Sequence, residues 1–236
     1  MSQIRLCVQH CEFFPGKILE LSNEDRKYLF NVLRCHPGDT LSIFNGKGKS
    51  FHAKIIDLKT IEILQEEELH TEDVFSITLC QALLKGEKMD MIIQKATELG
   101  VKKIIPFVSD RCIVRHTRKI GRWEKIAKEA SEQSHRSIVP EISNVINFSE
   151  LIKNIDNGIL FWEKATSPLI QTISEVNHDK NIFLLIGPEG GFSQEEVSQA
   201  EKMNIKTASL GKRILKAETA SIVSVALVSF LLQWKL

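Results

Sequence analysis

Two Gly-rich turns in the last third of this 236-residue chain hold the residue types that could do chemistry. The first is Ile186-Gly187-Pro188-Glu189-Gly190-Gly191-Phe192, which leaves the apolar run Ile182–Ile186. The second is Leu210-Gly211-Lys212-Arg213-Ile214-Leu215-Lys216-Ala217-Glu218-Thr219-Ala220. Each follows a short strand and opens a helix. Glycines let a ligand approach the backbone closely, and the Ser193/Glu196 spacing predicts a helix N-cap, where free amides cluster. Such a place usually suits phosphate. Here Pro188 contributes no N–H, and Glu189 puts a carboxylate where a diphosphate would sit. A neutral or cationic ligand fits better, such as a nucleoside bearing an ammonium or sulfonium group. The alternative, a tight strand-to-helix turn with no ligand, stays open.

The elements that must carry these turns follow from the change of hydrophobic period along the chain. From Val74 onward strands alternate with helices: Ile77–Ala82, a helix over Lys88–Leu99, Ile104–Val108, a helix over Trp123–Ser134, Ile159–Trp162, Ile182–Ile186 and Thr207–Leu210. That alternation predicts an α/β domain with a parallel sheet, over residues 74–236. Met89, Ile92, Ile93, Ala96 and Leu99 form one helical stripe that Gly100 ends. Residues 1–70 read differently. Ile4, Leu6 and Val8 alternate with polar residues, Asn45-Gly46-Lys47-Gly48 joins Thr40–Phe44 to Ser50–Leu58 as a hairpin, and one helix, started by Ser22 and Asp25, presents Leu29, Val32 and Leu33 up to Arg34. Short strands with one helix suggest a small β-barrel, and the acidic stretch 66–73 is the expected linker.

Composition bounds the remainder. The chain is 43% hydrophobic with a formal charge of +1, an ordinary globular balance with no global field to recruit nucleic acid. Five scattered cysteines give no disulfide framework and point to a reducing cytoplasm. Cys7, His10 and Cys11 lack a second ligand pair, so no metal is expected. The N-terminus lacks signal-peptide character, and the apolar stretch Ile222–Leu232 is short for a bilayer, so no membrane partner is expected. Charge is concentrated locally. Lys102, Lys103, Arg111, Arg115, Arg118, Lys119, Arg122 and Lys125 are opposed only by Asp110 and Glu124. An RNA backbone would be drawn to such a face; a solvated surface is the alternative.

Taken together, these segments resemble a known family. Gly86-Glu87-Lys88-Met89, Gln94 to Val101, Pro106, Ser109, Arg111-Cys112, Trp123 to Ala127, Glu132-Gln133, Arg136, Val139 to Ile142 and both Gly-rich turns are similar to the RsmE-type methyltransferases. In the first seventy residues the likeness rests on Val32-Leu33-Arg34, Pro37-Gly38-Asp39 and Phe44-Asn45-Gly46. The histidine usual before Val-Leu-Arg is missing; Tyr28 or Leu29 stands near its place. The resemblance implies a PUA-like β-barrel followed by a SPOUT domain with a C-terminal trefoil knot, working as a homodimer. It also implies methylation of uridine N3 in 16S small-subunit ribosomal RNA with S-adenosylmethionine. The Ile222–Leu232 helix suits a two-fold interface, and a monomer core would explain it equally.

By the same resemblance, three loops hold the cofactor: Leu160, Trp162 and Glu163 in the first; Ile186, Gly187, Pro188, Glu189, Gly190 and Gly191 in the second; Leu210, Gly211, Ile214, Leu215, Glu218 and Thr219 in the third. Methylating an imide nitrogen requires its proton to leave while charge spreads onto O2 and O4, so a base, a charge stabiliser or both are needed. Arg213 is the candidate stabiliser, with a salt bridge to Glu218 as its structural alternative. Glu189 either faces the cationic end of the cofactor or caps the next helix. Arg34, Arg111, Arg115 and Arg136 are the candidate RNA-backbone contacts, and no residue stands out as general base. Ribose 2′-OH or guanine N1 methylation on the same fold, and a silent RNA-binding protein, are the rival readings.

Overall fold

The computed structural model describes residues 4–9 and 11–234, and the chain divides into two compact units. One comprises residues 1–72 with 131–139, the other 73–130 with 140–236. Residues 131–139 were expected in the second domain and instead belong to the first unit. Backbone pairing and a buried ion pair are the cause. Gly48 N donates to Ser137 O and Val139 N to Gly46 O, both at 3.0 Å. The Glu72 carboxylate accepts from Arg136 Nη2 at 3.0 Å and from the amides of Ser137 and Ile138 at 2.9 Å.

The first unit is built on strands β1 (Arg5–Cys7), β2 (Ile18–Glu20), β3 (Thr40–Phe44), β4 (Ser50–Ile55) and β5 (Thr60–Glu67). They form one sheet in the order β1-β3-β4-β5-β2, antiparallel except for β1 beside β3. The Asn45 side chain shapes the β3–β4 hairpin by accepting from the amides of Lys47 and Lys49. Helix α1 (Asn23–Arg26) starts where Ser22 Oγ accepts from Asp25 N, as the spacing predicts. Beyond Arg26 the turns widen over Lys27–Val32, where Leu33 N reaches back five residues to Tyr28 O at 3.0 Å. The wider turn separates the expected apolar face: Leu29 is fully buried and Val32 is 66% exposed.

The second unit is a seven-stranded sheet whose pairings are all parallel. Its members are β6 (Ile77–Ala82), β7 (Lys103–Val108), β8 (Glu141–Ile142), β9 (Ile146–Asn147), β10 (Gly158–Phe161), β11 (Ile182–Ile186) and β12 (Lys206–Ala208). The spatial order is β12-β10-β11-β6-β7-β8, with β9 also on β7. The chain runs outward from β6 to one edge, crosses over to β10, returns through β11 and ends at the far edge. Helices α2 (Lys88–Glu98), α3 (Ile120–Gln133), α4 (Phe148–Leu151), α5 (Leu169–Thr172), α6 (Gln194–Lys202) and α7 (Ala217–Trp234) are the remaining elements. Strands β10 and β11 read as near-continuous apolar runs because both faces are covered. Gly100 closes α2 at φ +88°, a left-handed position that suits glycine.

Helix α7 is longer than the apolar stretch suggested. At 18 residues it has the length and composition of a membrane span. Its small-residue face belongs to the core: Ala217, Ser221, Ser224, Val225 and Val228 are buried, and the helix packs on α2, β6 and β11. The hydroxyl of Ser221 lies between Ala217 O and Oε1 of Gln81, a fully buried residue of β6. Leu227, Phe230 and Trp234 stay exposed on another face.

Candidate functional site

Parallel pairing sets the site. Phe161 at the end of β10 lies level with Ile186 of β11 and Ala208 of β12, so three successive loops leave the sheet side by side at its carboxyl edge, where open α/β sheets bind ligands. Together they enclose a cavity of about 490 Å³, within the range of small-molecule sites. From the first loop Trp162 and Glu163 line it; from the second, Ile186 to Gly191; from the third, Leu210, Gly211, Arg213, Ile214, Leu215 and Glu218. Two expected residues stand outside the lining. Leu160 is fully buried inside β10, on the face opposite Phe161 because side chains alternate along a strand. Thr219 is exposed on α7. The lining also includes Phe161, Phe192, Lys216, Ala217 and Ala220 of the same loops and turns, and Lys88 and Ser209, which the sequence reading missed. Lys88 had a signal: it stands in the Gly86–Met89 segment that follows β6, the strand beside β11.

The second loop is held in shape by close contacts. Gly191 N donates to Pro188 O at 2.9 Å, and Gly191 sits at φ +68°. A Cβ on Gly187 would lie 3.2 Å from the Phe192 ring and 3.3 Å from the carbonyl carbon of Gly191. That ring is 2% exposed, stacked on Phe107 with centroids 6.3 Å apart and tilted against Phe148 at 5.7 Å. The helix beyond starts as the sequence predicts: Ser193 Oγ accepts from Glu196 N and the Glu196 carboxylate accepts from Ser193 N.

Charge in the cavity is arranged around Lys88. Its Nζ donates to Glu189 Oε1 at 2.8 Å and stands 3.8 Å from Glu218 Oε2. Lys85 N also donates to Glu189 Oε1, at 3.2 Å. Glu189 therefore neither caps α6, which Ser193 does, nor stands as an unmatched carboxylate. Burial works to raise its pKa, but the hydrogen bonds from Lys88 and the backbone outweigh it and hold the group below its ordinary value. The hydrogen bond to Glu189 in turn raises that of Lys88, against a small opposing effect of burial. Arg213 is exposed, and among the described residues Glu218 pairs with Lys88 rather than with it. Two buried polar atoms of lining residues have no hydrogen-bond partner, Trp162 Nε1 and Glu218 Oε2. Buried polar groups are normally satisfied, so a polar ligand in this cavity would complete them.

The loop after β7 lies against the second turn. Glu196, 3% exposed, accepts from Ser109 Oγ at 3.1 Å and Asp110 N at 3.0 Å. Arg111 Nη1 then donates to Gly190 O at 3.0 Å, and Arg115 Nη2 to Asp110 O at 2.9 Å. Both arginines are exposed and share one loop beside the cavity. Arg34 belongs to the first unit, exposed at φ +58°. Arg136 corrects the sequence reading: it is 3% exposed, paired with Glu72, and its guanidinium is turned inward as a strut of the first unit rather than toward RNA phosphate. Among the described residues no group of three or more His, Cys, Asp or Glu could hold a metal. Cys7 is buried and Cys11 exposed, while His10 lies outside the described residues.

Comparison with known proteins accounts for both units. Residues 71–229 match the family model of an RNA methyltransferase domain, and residues 21–66 that of an RNA methyltransferase PUA domain. A ribosomal RNA small subunit methyltransferase E of Buchnera aphidicola is 39% identical over 87% of this chain and 85% of its own length. The Bacillus subtilis protein of the same name is 30% identical over 96% and 94%. A crystal structure of the Neisseria gonorrhoeae methyltransferase E bound to S-adenosylmethionine superposes with a TM-score of 0.90 at 31% identity, covering 98% of both chains. A Legionella pneumophila putative methyltransferase in complex with the same cofactor gives 0.84 at 32%, again covering 98% of both. With its PUA domain, its parallel sheet and its three-loop cavity, the chain belongs to the family of ribosomal RNA small subunit methyltransferases E.

Proposed function

We propose that this chain transfers the methyl group of S-adenosylmethionine to N3 of a uridine in small-subunit ribosomal RNA. The observation that carries the reading is the single cavity made by the three loops at the carboxyl ends of β10, β11 and β12. The residues present fit a cationic nucleoside. A Cβ at Gly187 would intrude on the turn, apolar Ile186, Leu210 and Leu215 offer surface for a base, and Trp162 Nε1 awaits a partner. The cofactor supplies an electrophilic methyl group when bound; the work left to the protein is positioning and charge. Ile186, Gly187, Gly190, Gly191, Leu210, Gly211, Ile214 and Leu215 would hold it, with Trp162 and Glu163 at the rim. Arg213 stabilises the charge that develops on the uracil, and Arg111 and Arg115 bind phosphate beside the cavity. Unstacked bases are the usual targets of RNA readers, so the uridine enters flipped.

The same reading includes a cytoplasmic homodimer and a threaded C-terminal segment. The exposed Leu227, Phe230 and Trp234 of α7 suit a second copy of the chain. The decisive experiment is nucleoside mass spectrometry of 16S ribosomal RNA from a strain lacking the gene. Loss of 3-methyluridine, restored by the gene in trans, is the expected result. Persistence of that nucleoside with loss of another methylation would reassign the reaction.

A further inference from the structure

The reaction needs a group to take the imide proton, and among the described residues the cavity wall holds a buried carboxylate oxygen with no hydrogen-bond partner. Glu218 is in the first turn of α7, its side chain 13% exposed, and its Oε2 is buried without a hydrogen-bond partner. The other carboxylate closest to Lys88, that of Glu189, is already occupied at 2.8 Å by the Lys88 ammonium and at 3.2 Å by the Lys85 amide. Lys88 has three N–H donors and gives one to Glu189. Its nitrogen and the orphaned Glu218 oxygen are 3.8 Å apart, too far to hydrogen-bond each other and placed as a neighbouring donor and acceptor on the cavity wall.

That pattern calls for a carbonyl beside an N–H, which the imide edge of uracil presents and which guanine also presents at O6 and N1–H; the reaction proposed above makes the base uracil. The imide edge of uracil presents a carbonyl acceptor beside an N–H donor, so a lysine donor and a carboxylate acceptor meet it in register. Cytosine presents the reverse, an amino donor beside a bare ring nitrogen, and would set donor against donor and acceptor against acceptor. We infer that Glu218 is the general base of this enzyme and that Lys88, held by Glu189, is the donor that pairs with the adjacent uracil carbonyl oxygen, so that the two together favour uracil over cytosine and prepare its N3. This rests on the methyl-transfer reading above and adds its missing base. In the step, the N3–H bond breaks and the proton goes to Glu218 Oε2. The N3 electron pair forms the bond to the methyl carbon, and the pair of the broken S–C bond stays on sulfur as a neutral thioether. One positive charge on sulfur and one negative charge on Glu218 disappear together, while the Lys88 ammonium keeps its proton. The charge that builds on one carbonyl oxygen is met by Lys88, leaving Arg213 for the other.

The test compares wild type with E218Q, K88M and, as the conservative variant, E218D, with melting temperature measured first for each. Calorimetry gives cofactor affinity, fluorescence anisotropy gives RNA affinity, and single-turnover methylation gives the rate across pH. E218Q should bind cofactor and RNA within about threefold of wild type while its rate falls about 10²- to 10⁴-fold, the usual share of a general base. The rise of rate with pH on the acid side should flatten in E218Q and reappear in E218D. K88M should lose discrimination between uridine- and cytidine-containing RNA in binding. E218Q at wild-type rate would overturn the assignment. So would a large loss of cofactor affinity with full rate at saturation, because Glu218 would then be holding the cofactor ammonium. If wild type yields no 3-methyluridine, the reaction itself is misassigned, an outcome separable from any behaviour of the variants.

Discussion

Gly187→Ala is the sharpest perturbation of the cofactor turn because one methyl group meets a buried ring and the backbone of the turn at once. The added Cβ would stand 3.2 Å from Phe192 Cδ2 and 3.3 Å from the carbonyl carbon of Gly191. The first belongs to a buried ring packed against Phe107 and Phe148. The second is the backbone of the turn itself, pinned by the Gly191–Pro188 hydrogen bond. Overpacking of this kind costs about 1–3 kcal/mol. The turn is less constrained than the ring stack, so the strain is relieved by opening the turn, and the cost appears mainly as lost cofactor affinity. Calorimetry with S-adenosylmethionine should show Kd raised about 5- to 100-fold, with a modest drop in melting temperature. Phe192→Leu creates space, so the double variant should recover part of the loss, a coupling that a double-mutant cycle measures. Gly211→Ala separates strain from contact: at φ +109° with no atom within 4 Å, it carries only the backbone cost, about 1–2 kcal/mol. Wild-type affinity and melting temperature in Gly187→Ala would refute the close-packed cradle, and strict additivity with Phe192→Leu would refute the named contact.

Two further outcomes test the basic loop and the first unit. Arg115→Ala, which removes an exposed guanidinium that donates to the Asp110 carbonyl, should lower the slope of log affinity against log salt for RNA by about 0.7–0.9, with cofactor affinity unchanged; an unaltered slope would remove Arg115 from the phosphate contacts. Glu72→Gln removes a carboxylate that pairs with the Arg136 guanidinium, 3% exposed, and should cost about 1.5–3 kcal/mol, read as a lower urea midpoint for the first unit. A wild-type midpoint would show that the pair does not support residues 131–139.

The sequence disclosed the parts of the molecule that depend on local order and hid those that depend on distant partners. Buried parallel strands, the Ser193 capping box and the closing Gly100 are legible because periodicity, spacing and a positive φ act within a few residues. The carboxyl-edge site follows from them once β10, β11 and β12 are neighbours, although no single-strand pattern says that β12 returns to lie beside β10. Arg136 shows the limit. In sequence it is one more arginine free to meet phosphate, and its pairing with Glu72, 64 residues earlier, turns it inward. The helix after Ser22 shows another limit, since a widened turn is a property of backbone packing and shifts Val32 off the face that a period of 3.6 assigns to it. Lys88 is the most consequential case. On its own helix it reads as an ordinary solvated lysine, yet Glu189 and Glu218, about 100 and 130 residues later, place its ammonium at the cavity wall. The two Gly-rich turns therefore mark the cradle, and the ammonium at its wall comes from the start of a helix whose apolar stripe reads only as core.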